Sequence, residues 1–253
     1  MPSTTPRLTA TPLSAEEQAY LDHYDPQAYL SPLFSVDVAI FTLHDGELKV
    51  LLVQRGDFPE KSKWALPGGF VDLKEDTNIE ITARRKLLSK TGIDAPLLEQ
   101  VATTGNASRD PRGWSVTTLY MALIAYAPTA DFVDSVADAR WFSYKEALTL
   151  ELAFDHFQLL QQARERLKNK TAYTVLPIHV LKAPFSLAQL QKAFELLMEK
   201  TLEKKSFRRR IANAEMLKEV GEGVPEGGKG RPAALYIPAP GSEKHLFTRA
   251  FKD

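Results

Sequence analysis

The chain has 253 residues, 44% of them hydrophobic and 25% charged, with 32 basic and 32 acidic side chains and no cysteine. That length holds one large domain or two modest ones, and the missing thiols exclude disulfides and thiolate metal sites. No apolar run approaches the ~18 residues a membrane helix needs, and MPSTTPRLTA lacks the apolar core of a secretory leader, so the expectation is a cytoplasmic protein with no membrane partner. Zero net charge hides an asymmetry. Residues 170–253 carry 15 Lys and Arg against 9 Asp and Glu, and a basic tail third on an acidic body points to one end that meets nucleic acid.

Taken in chain order, residues 1–23 are Thr/Pro-rich and then acidic, which predicts a loose tail with one short helix. Phe34–Thr42 alternates and is β-branched, and Leu48–Val53 is a second apolar run. Asp45-Gly46 lies between them, a strong hairpin signal. Further strands are expected at Glu99–Thr104, Val116–Ala125 and Ala137–Phe142, and helices near Ile79–Lys90, Lys145–Leu148 and Phe154–Lys168. Strands interleaved with helices predict an α+β sandwich. After the last of these helices the character changes. Ser186 with Gln189 forms a capping box, followed by Leu187, Leu190, Phe194 and Leu197 at helical spacing. The break TLEKK leads to a second helix from Ser206, with Phe207, Ile211, Ala214 and Leu217 on one face. The loop GEGVPEGGKG and the strand RPAALYIP follow. Helix, turn, helix and glycine-rich hairpin is the order of a winged helix-turn-helix.

Two constellations carry chemistry. The first is WALPGGFV (Trp64–Val71) leading through Glu75 to RRKLLSKTGI (Arg84–Ile93). It resembles the Nudix box, whose pattern is Gly, five residues, Glu, seven residues, then Arg-Glu-apolar-x-Glu-Glu-x-Gly-apolar, with helix glutamates holding Mg²⁺ against a pyrophosphate. Gly69 with Glu75, and Arg85, Leu87, Gly92 and Ile93, keep the frame. The carboxylates are replaced: Lys86 follows the arginine, and Ser89 and Lys90 stand where the Glu pair belongs. The interval from Glu75 to Arg85 is also two residues too long. Mg²⁺ wants oxygen ligands, and cations on the same turns repel it. The expectation is therefore no metal and no catalytic residue, with a site rescued by Glu75 or Glu80 as the alternative. Glycine-turn N–H groups and cations still suit a pyrophosphate. Arg55, at the end of the second strand, and Arg109, Arg112 and Trp114, in the loop SRDPRGW, can clamp a phosphate and stack on a base or ribose. Structural Arg–Asp pairing in a surface turn is the competing reading.

The second constellation is KKSFRRR (Lys204–Arg210). With Ser206 as N-cap, three arginines fall in the first helical turn, where the helix dipole disfavours cations unless an anion such as DNA phosphate is present. Arg208 and Arg209 lie off the Phe207/Ile211 face and can reach the major groove, while Lys229 and Arg231 flank the wing loop. A solvated basic patch, or an RNA or acidic-protein site, is the alternative.

With YDPQAY, WALPGGFVD, GNASRDPRGWSVT, LAFDH (Leu152–His156), KSFRRR and GRPAALY in one chain, the sequence resembles the NrtR family, Nudix-related transcriptional regulators of bacterial NAD metabolism. The resemblance runs from Tyr24 to about Pro238. It implies a Nudix-like α/β/α sandwich over residues 24–150 behind the tail 1–23, a connecting helix at 151–170, and a winged helix-turn-helix over 171–253. It implies a homodimeric repressor on a palindromic double-stranded DNA operator. No cofactor is implied, but the effector would be ADP-ribose or a related NAD metabolite. The effector role passes to Arg55, Gly68, Gly69, Arg109 and Arg112, and the DNA role to Lys205, Ser206, Arg208, Arg209, Arg210, Lys229 and Arg231. A sugar-catabolism regulator of the same build and an active Nudix ADP-ribose pyrophosphatase stay open. The Phe154–Lys168 helix, lying between the domains, is the expected transmitter.

Overall fold

The computed structural model describes residues 13–25, 28–128, 136–223, 232–242, 245–247 and 250–251. The chain divides into two units, Met1–Pro32 and Leu33–Asp253. In the first, α1 (Ala15–His23) is closed by a capping box in which Ser14 and Glu17 each accept the other's backbone N–H. Tyr24 there lies between the rings of Tyr20 and Tyr29.

In the second unit, β1 (Leu33–His44) turns through Asp45 and Gly46, both at positive φ, into β2 (Glu47–Arg55), which is the hairpin that the Asp-Gly pair predicts. The short strands β3 (Trp64–Ala65) and β4 (Gly68–Phe70) precede α2 (Ile79–Thr91). Then come β5 (Leu97–Asn106), β6 (Ser115–Leu123), β7 (Val136–Ser143), the single turn α3 (Tyr144–Ala147) and α4 (His156–Thr171). The seven strands form one mixed sheet in the order β3-β2-β1-β6-β5, with β4 on β1 and β7 on β2. β1 runs parallel to β6 and antiparallel to β2 and β4.

Alternation along β1 sends its side chains to two cores. Val36, Val38 and Ile40 pack with Ala83 and Leu87 of α2. Ala39 and Phe41 pack with Leu159, Leu160, Ala163 and Leu167 of α4. The sheet therefore lies between α2 and α4, the expected α/β/α sandwich.

Beyond a 3₁₀ turn at Leu176–Val180, the chain forms β8 (Phe185–Ser186), α5 (Leu187–Met198), α6 (Lys204–Asn213), β9 (Leu217–Gly223) and β10 (Ala233–Pro238), with sheet order β8-β10-β9. Ser186 and Gln189 make the expected capping box. The winged-helix core joins Leu190 and Phe194 of α5 and Phe207 and Ile211 of α6 to Phe247 and Phe251 of the C-terminal segment. That segment is anchored by Phe247 N–H to the Tyr173 carbonyl and Phe251 N–H to the Ala172 carbonyl.

Three expectations are corrected. α6 begins at Lys204, capped by the Glu203 carboxylate, which accepts the backbone N–H groups of Lys205 and Ser206. Ser206 is thus inside the helix rather than its N-cap, because the Glu203 carboxylate, three residues upstream, already satisfies the first N–H groups and starts the helix there. The helix also stops at Asn213, and Glu215 at φ 50° turns the chain so that Leu217 opens β9 instead of extending the helical face. The helix expected from Phe154 starts at His156, since Phe154 itself sits at φ 54°.

α4 ties the two cores together. Arg166 and Lys170 pair with Glu99 on β5. Arg164, buried, donates to the Leu197 carbonyl at 2.8 Å and pairs with Glu199, the left-handed C-cap of α5. Lys168 pairs with the same glutamate at 2.8 Å.

Candidate functional site

A cleft of about 350 Å³ opens between β4, α2, the ends of β2 and the β5–β6 loop. Arg55, Gly68, Gly69, Arg109 and Arg112 all line it, so the five residues singled out from separate stretches of sequence are brought together. Sequence reasoning missed Asp37, Phe70, Phe154 and His156, which line it too, and weighed Lys86 and Lys90 as obstacles to a metal and as cations suited to a pyrophosphate without naming them as site residues. The LAFDH run held a signal for Phe154 and His156. Nothing local marked Asp37, which looks like one polar residue in a buried strand.

Glycine at 68 is required by close approach. A Cβ there would lie 2.3 Å from the Asp37 carboxylate and 2.4 Å from the Val36 carbonyl, so only glycine lets β4 lie against β1. Gly69 has φ 152°, a backbone region that side chains rarely adopt.

The floor is a buried polar network. Thr117 donates to Asp37 at 2.7 Å, and Arg109 Nη2 is 3.7 Å from the same carboxylate. Arg109 itself is committed to Asp155 through two bonds of 2.9 Å. His156 Nδ1 accepts the Leu66 backbone N–H at 2.9 Å, which puts the ring proton on Nε2, 3.6 Å from Asp37. Burial pushes the His156 pKa down, outweighing the attraction of Asp37 and Asp155, so the ring is held neutral.

Above the floor, cations and rings alternate. The Arg55 guanidinium lies 4.7 Å from the Phe154 ring, and Arg112 lies 4.7 Å from Phe70 and 5.8 Å from Phe154. Arg55 also donates to the Pro59 carbonyl, and burial together with the nearby Arg112 lowers its pKa. Arg112 is forked onto Asp110. Burial acts to raise the Asp110 carboxyl, but the bonds from the Arg112 side chain and backbone hold it low. The Arg–Asp pairing that competed with a phosphate clamp is therefore real for Arg109 and Arg112, and both still face the cleft. Five cations against Asp37, Asp57 and Asp110 leave the lining net positive, suited to a dianion.

Asp76, in the loop before α2, and Arg85 of α2 pair through contacts of 2.7 and 2.5 Å, with the Asp76 side chain fully buried and also accepting from Thr82. The Arg85 bonds hold the Asp76 carboxyl far below its ordinary range. This pair closes the lengthened loop before α2.

At the other end of the protein, α6 buries Phe207 and Ile211 and exposes Lys204, Lys205, Ser206, Arg208 and Arg209. With the helix starting at Lys204, the arginines fall in its second turn, where the dipole penalty has faded. Arg210 turns the other way. Its guanidinium stacks 4.1 Å from Phe251 and 5.4 Å from Phe247 and donates to the Ala250 carbonyl. The geometry assigns it to the C-terminal core rather than to an exposed reading face. Lys229 and Arg231 lie outside the described residues.

A Nudix-like sandwich joined by its last helix to a winged helix has the build of a Nudix-related regulator. The NUDIX domain family matches residues 33–163, and the NrtR DNA-binding winged helix domain matches residues 177–237. The chain is 50% identical over 222 residues to the ADPR responsive transcriptional repressor NtrR of Acinetobacter baylyi, a match covering 88% of each sequence. The crystal structure of Shewanella oneidensis NrtR complexed with a 27mer DNA is similar with a TM-score of 0.79 and 44% identity, covering 87% of this chain and 99% of that one. The NUDIX domain of the same Shewanella protein complexed with ADP ribose gives a TM-score of 0.58 and 48% identity, over 61% of this chain and 99% of that one. The chain belongs to the NrtR family.

Proposed function

We propose that this protein is a transcriptional repressor of NAD-metabolism genes, working in the cytoplasm as a homodimer on a palindromic operator and sensing ADP-ribose or a closely related metabolite. The observation that carries this reading is the convergence of Arg55, Arg109, Arg112 and the Gly68–Gly69 turn on one net-positive cleft, in a chain whose other domain exposes a basic helix. The volume suits a small ligand. Phe70 and Phe154 offer faces for a base or ribose, and the cations offer partners for a diphosphate.

DNA contact belongs to Lys205, Ser206, Arg208 and Arg209 on α6, with Lys229 and Arg231 as further candidates. Arg210 is withdrawn from that set. As domain limits we take 24–150 for the effector domain, 151–170 for the connecting helix and 171–253 for the DNA-binding domain, with the tail 1–23 apart. Hydrolysis is not part of the reading. A hard divalent ion needs carboxylate oxygens along α2, whereas Lys86, Ser89 and Lys90 stand at those places of the box and Asp76 is spent on Arg85. The donors at hand do not fit Mg²⁺.

Coupling runs through α4. Its N-terminal end supplies Phe154 and His156 to the cleft and Asp155 to the cleft residue Arg109, and its C-terminal half grips α5 through Arg164 and Lys168. Effector binding would favour one setting of α4, and so one spacing of the two α6 helices, which must fit grooves about 34 Å apart. A gel shift at fixed salt, with the DNA upstream of the protein's own gene and with or without ADP-ribose, tests this. A specific shift altered by ADP-ribose is expected. No shift beyond that on unrelated DNA would overturn the repressor reading, and a specific shift indifferent to ADP-ribose would overturn the effector.

A further inference from the structure

The cleft holds five cations, and four are already spoken for. Arg109 is forked onto Asp155, Arg112 onto Asp110, and Arg55 donates to the carbonyls of Pro59 and Asp57. Lys90 has a partner as well. Lys86 differs. It is half-buried, lines the cleft, and makes no hydrogen bond or ion pair among the described residues. Its chain lies over the glycine turn: a Cβ on Gly69 would be 3.1 Å from Lys86 Cε and 3.3 Å from Nζ. Glycine at 69 thus leaves room for the Lys86 ammonium, which reaches the turn from the place on α2 where the Nudix box has a metal-binding glutamate.

An ammonium withdrawn from water without a partner is costly, and burial followed by Arg85 pulls the Lys86 pKa down. The cost is removed when an anion enters the cleft. A metal would not remove it, because a divalent cation beside Lys86 adds repulsion.

We propose that the Lys86 ammonium is a built-in cation that stands in for the Nudix metal, meeting the effector's diphosphate at the Gly68–Gly69 turn so that binding needs no divalent ion. This rests on the effector reading above, with a diphosphate as the recognised group. A fixed, singly charged cation attracts the diphosphate yet cannot activate a water as a bound metal does. The same replacement therefore keeps affinity and removes turnover.

The test is isothermal titration of the full-length protein with ADP-ribose and, in parallel, with inorganic pyrophosphate, each in EDTA and in Mg²⁺. The wild type is expected to bind both with an affinity unaffected by Mg²⁺. Lys86→Met, checked for fold by near-UV circular dichroism, is expected to lose about tenfold or more for both ligands, as for removal of a charge-assisted contact. Wild-type binding that requires Mg²⁺, or a Lys86→Met protein that binds as the wild type does, overturns the proposal. If the wild type binds pyrophosphate through Lys86 but not ADP-ribose, the effector reading falls and the Lys86 cation stands. If it binds neither, both fall.

Discussion

Arg109 and Asp155 meet in a two-pronged ion pair, 2.9 Å at each contact, that fastens the β5–β6 loop to the residue preceding α4. The Arg109 side chain is 4% exposed and that of Asp155 23%. Asp155→Ala would leave a buried guanidinium with the weaker compensation of Asp37 at 3.7 Å, a 3.4 Å bond to Ser115 and the nearby Asp110 carboxylate. Removing one partner of a buried pair costs about 3–5 kcal/mol, and the partial exposure of Asp155 favours the lower end. Urea denaturation should therefore move to lower midpoint. In gel shifts the variant should also respond less to ADP-ribose, since the loop and α4 are no longer fastened. An unchanged midpoint would mean that Asp37 takes over.

Gly68→Ala should be poorly tolerated. The new methyl would sit 2.3 Å from the Asp37 carboxylate and 2.4 Å from a backbone carbonyl, so β4 must move off β1. Overpacking of this kind costs roughly 1–3 kcal/mol. Thermal melting measures the loss, and ADP-ribose titration should show weaker binding because the glycine turn is displaced.

His156 predicts a pH dependence. Its pKa is lowered by burial, so in the range just below about 6.5 the unfolded chain takes up a proton that the folded one refuses. Stability should be full above that value and fall as pH drops through it, until the folded imidazole itself titrates. His156→Asn keeps an acceptor for the Leu66 N–H but does not titrate. Denaturation midpoints at about pH 7.5 and 5.5 should differ less in this variant than in the wild type, and equal differences would assign the dependence to other groups.

Arg208 and Arg210 are two residues apart and should behave differently. Arg208 is exposed on α6, and Arg208→Ala should cost about 1–3 kcal/mol of operator binding and relax one base position if the side chain reads guanine. Arg210 stacks on Phe247 and Phe251. Arg210→Ala should lower the melting temperature and leave the base preference intact. A binding-site selection with each variant compares them, and a changed preference in Arg210→Ala would return that residue to the reading face.

Much of the fold was legible because its signals are short-range. The Asp45-Gly46 turn, the Ser186–Gln189 capping box and the alternation of β1 each depend on residues within a few positions of one another. The start of α6 misled because two residues there can cap a helix, and the Glu203 carboxylate does so three positions before Ser206. The C-terminal Phe247 and Phe251 carried no periodicity to mark them as core, since they join α5 and α6 as single residues across more than thirty positions of chain.

The sequence by itself determined the Nudix-plus-winged-helix build, the Lys86, Ser89 and Lys90 side chains along α2, and the arginines and glycines that line the cleft. These follow from residue identity and local spacing, which the unfolded chain already possesses. Only the tertiary structure decided which cations are committed and which are available. It forked Arg109 onto Asp155 from 46 positions away, stacked Arg210 on the C-terminal rings and left Lys86 over Gly69 with no hydrogen bond or ion pair among the described residues. The reason is that a charged side chain's role is set by what lies within hydrogen-bonding reach and how dry that place is, and long-range packing fixes both.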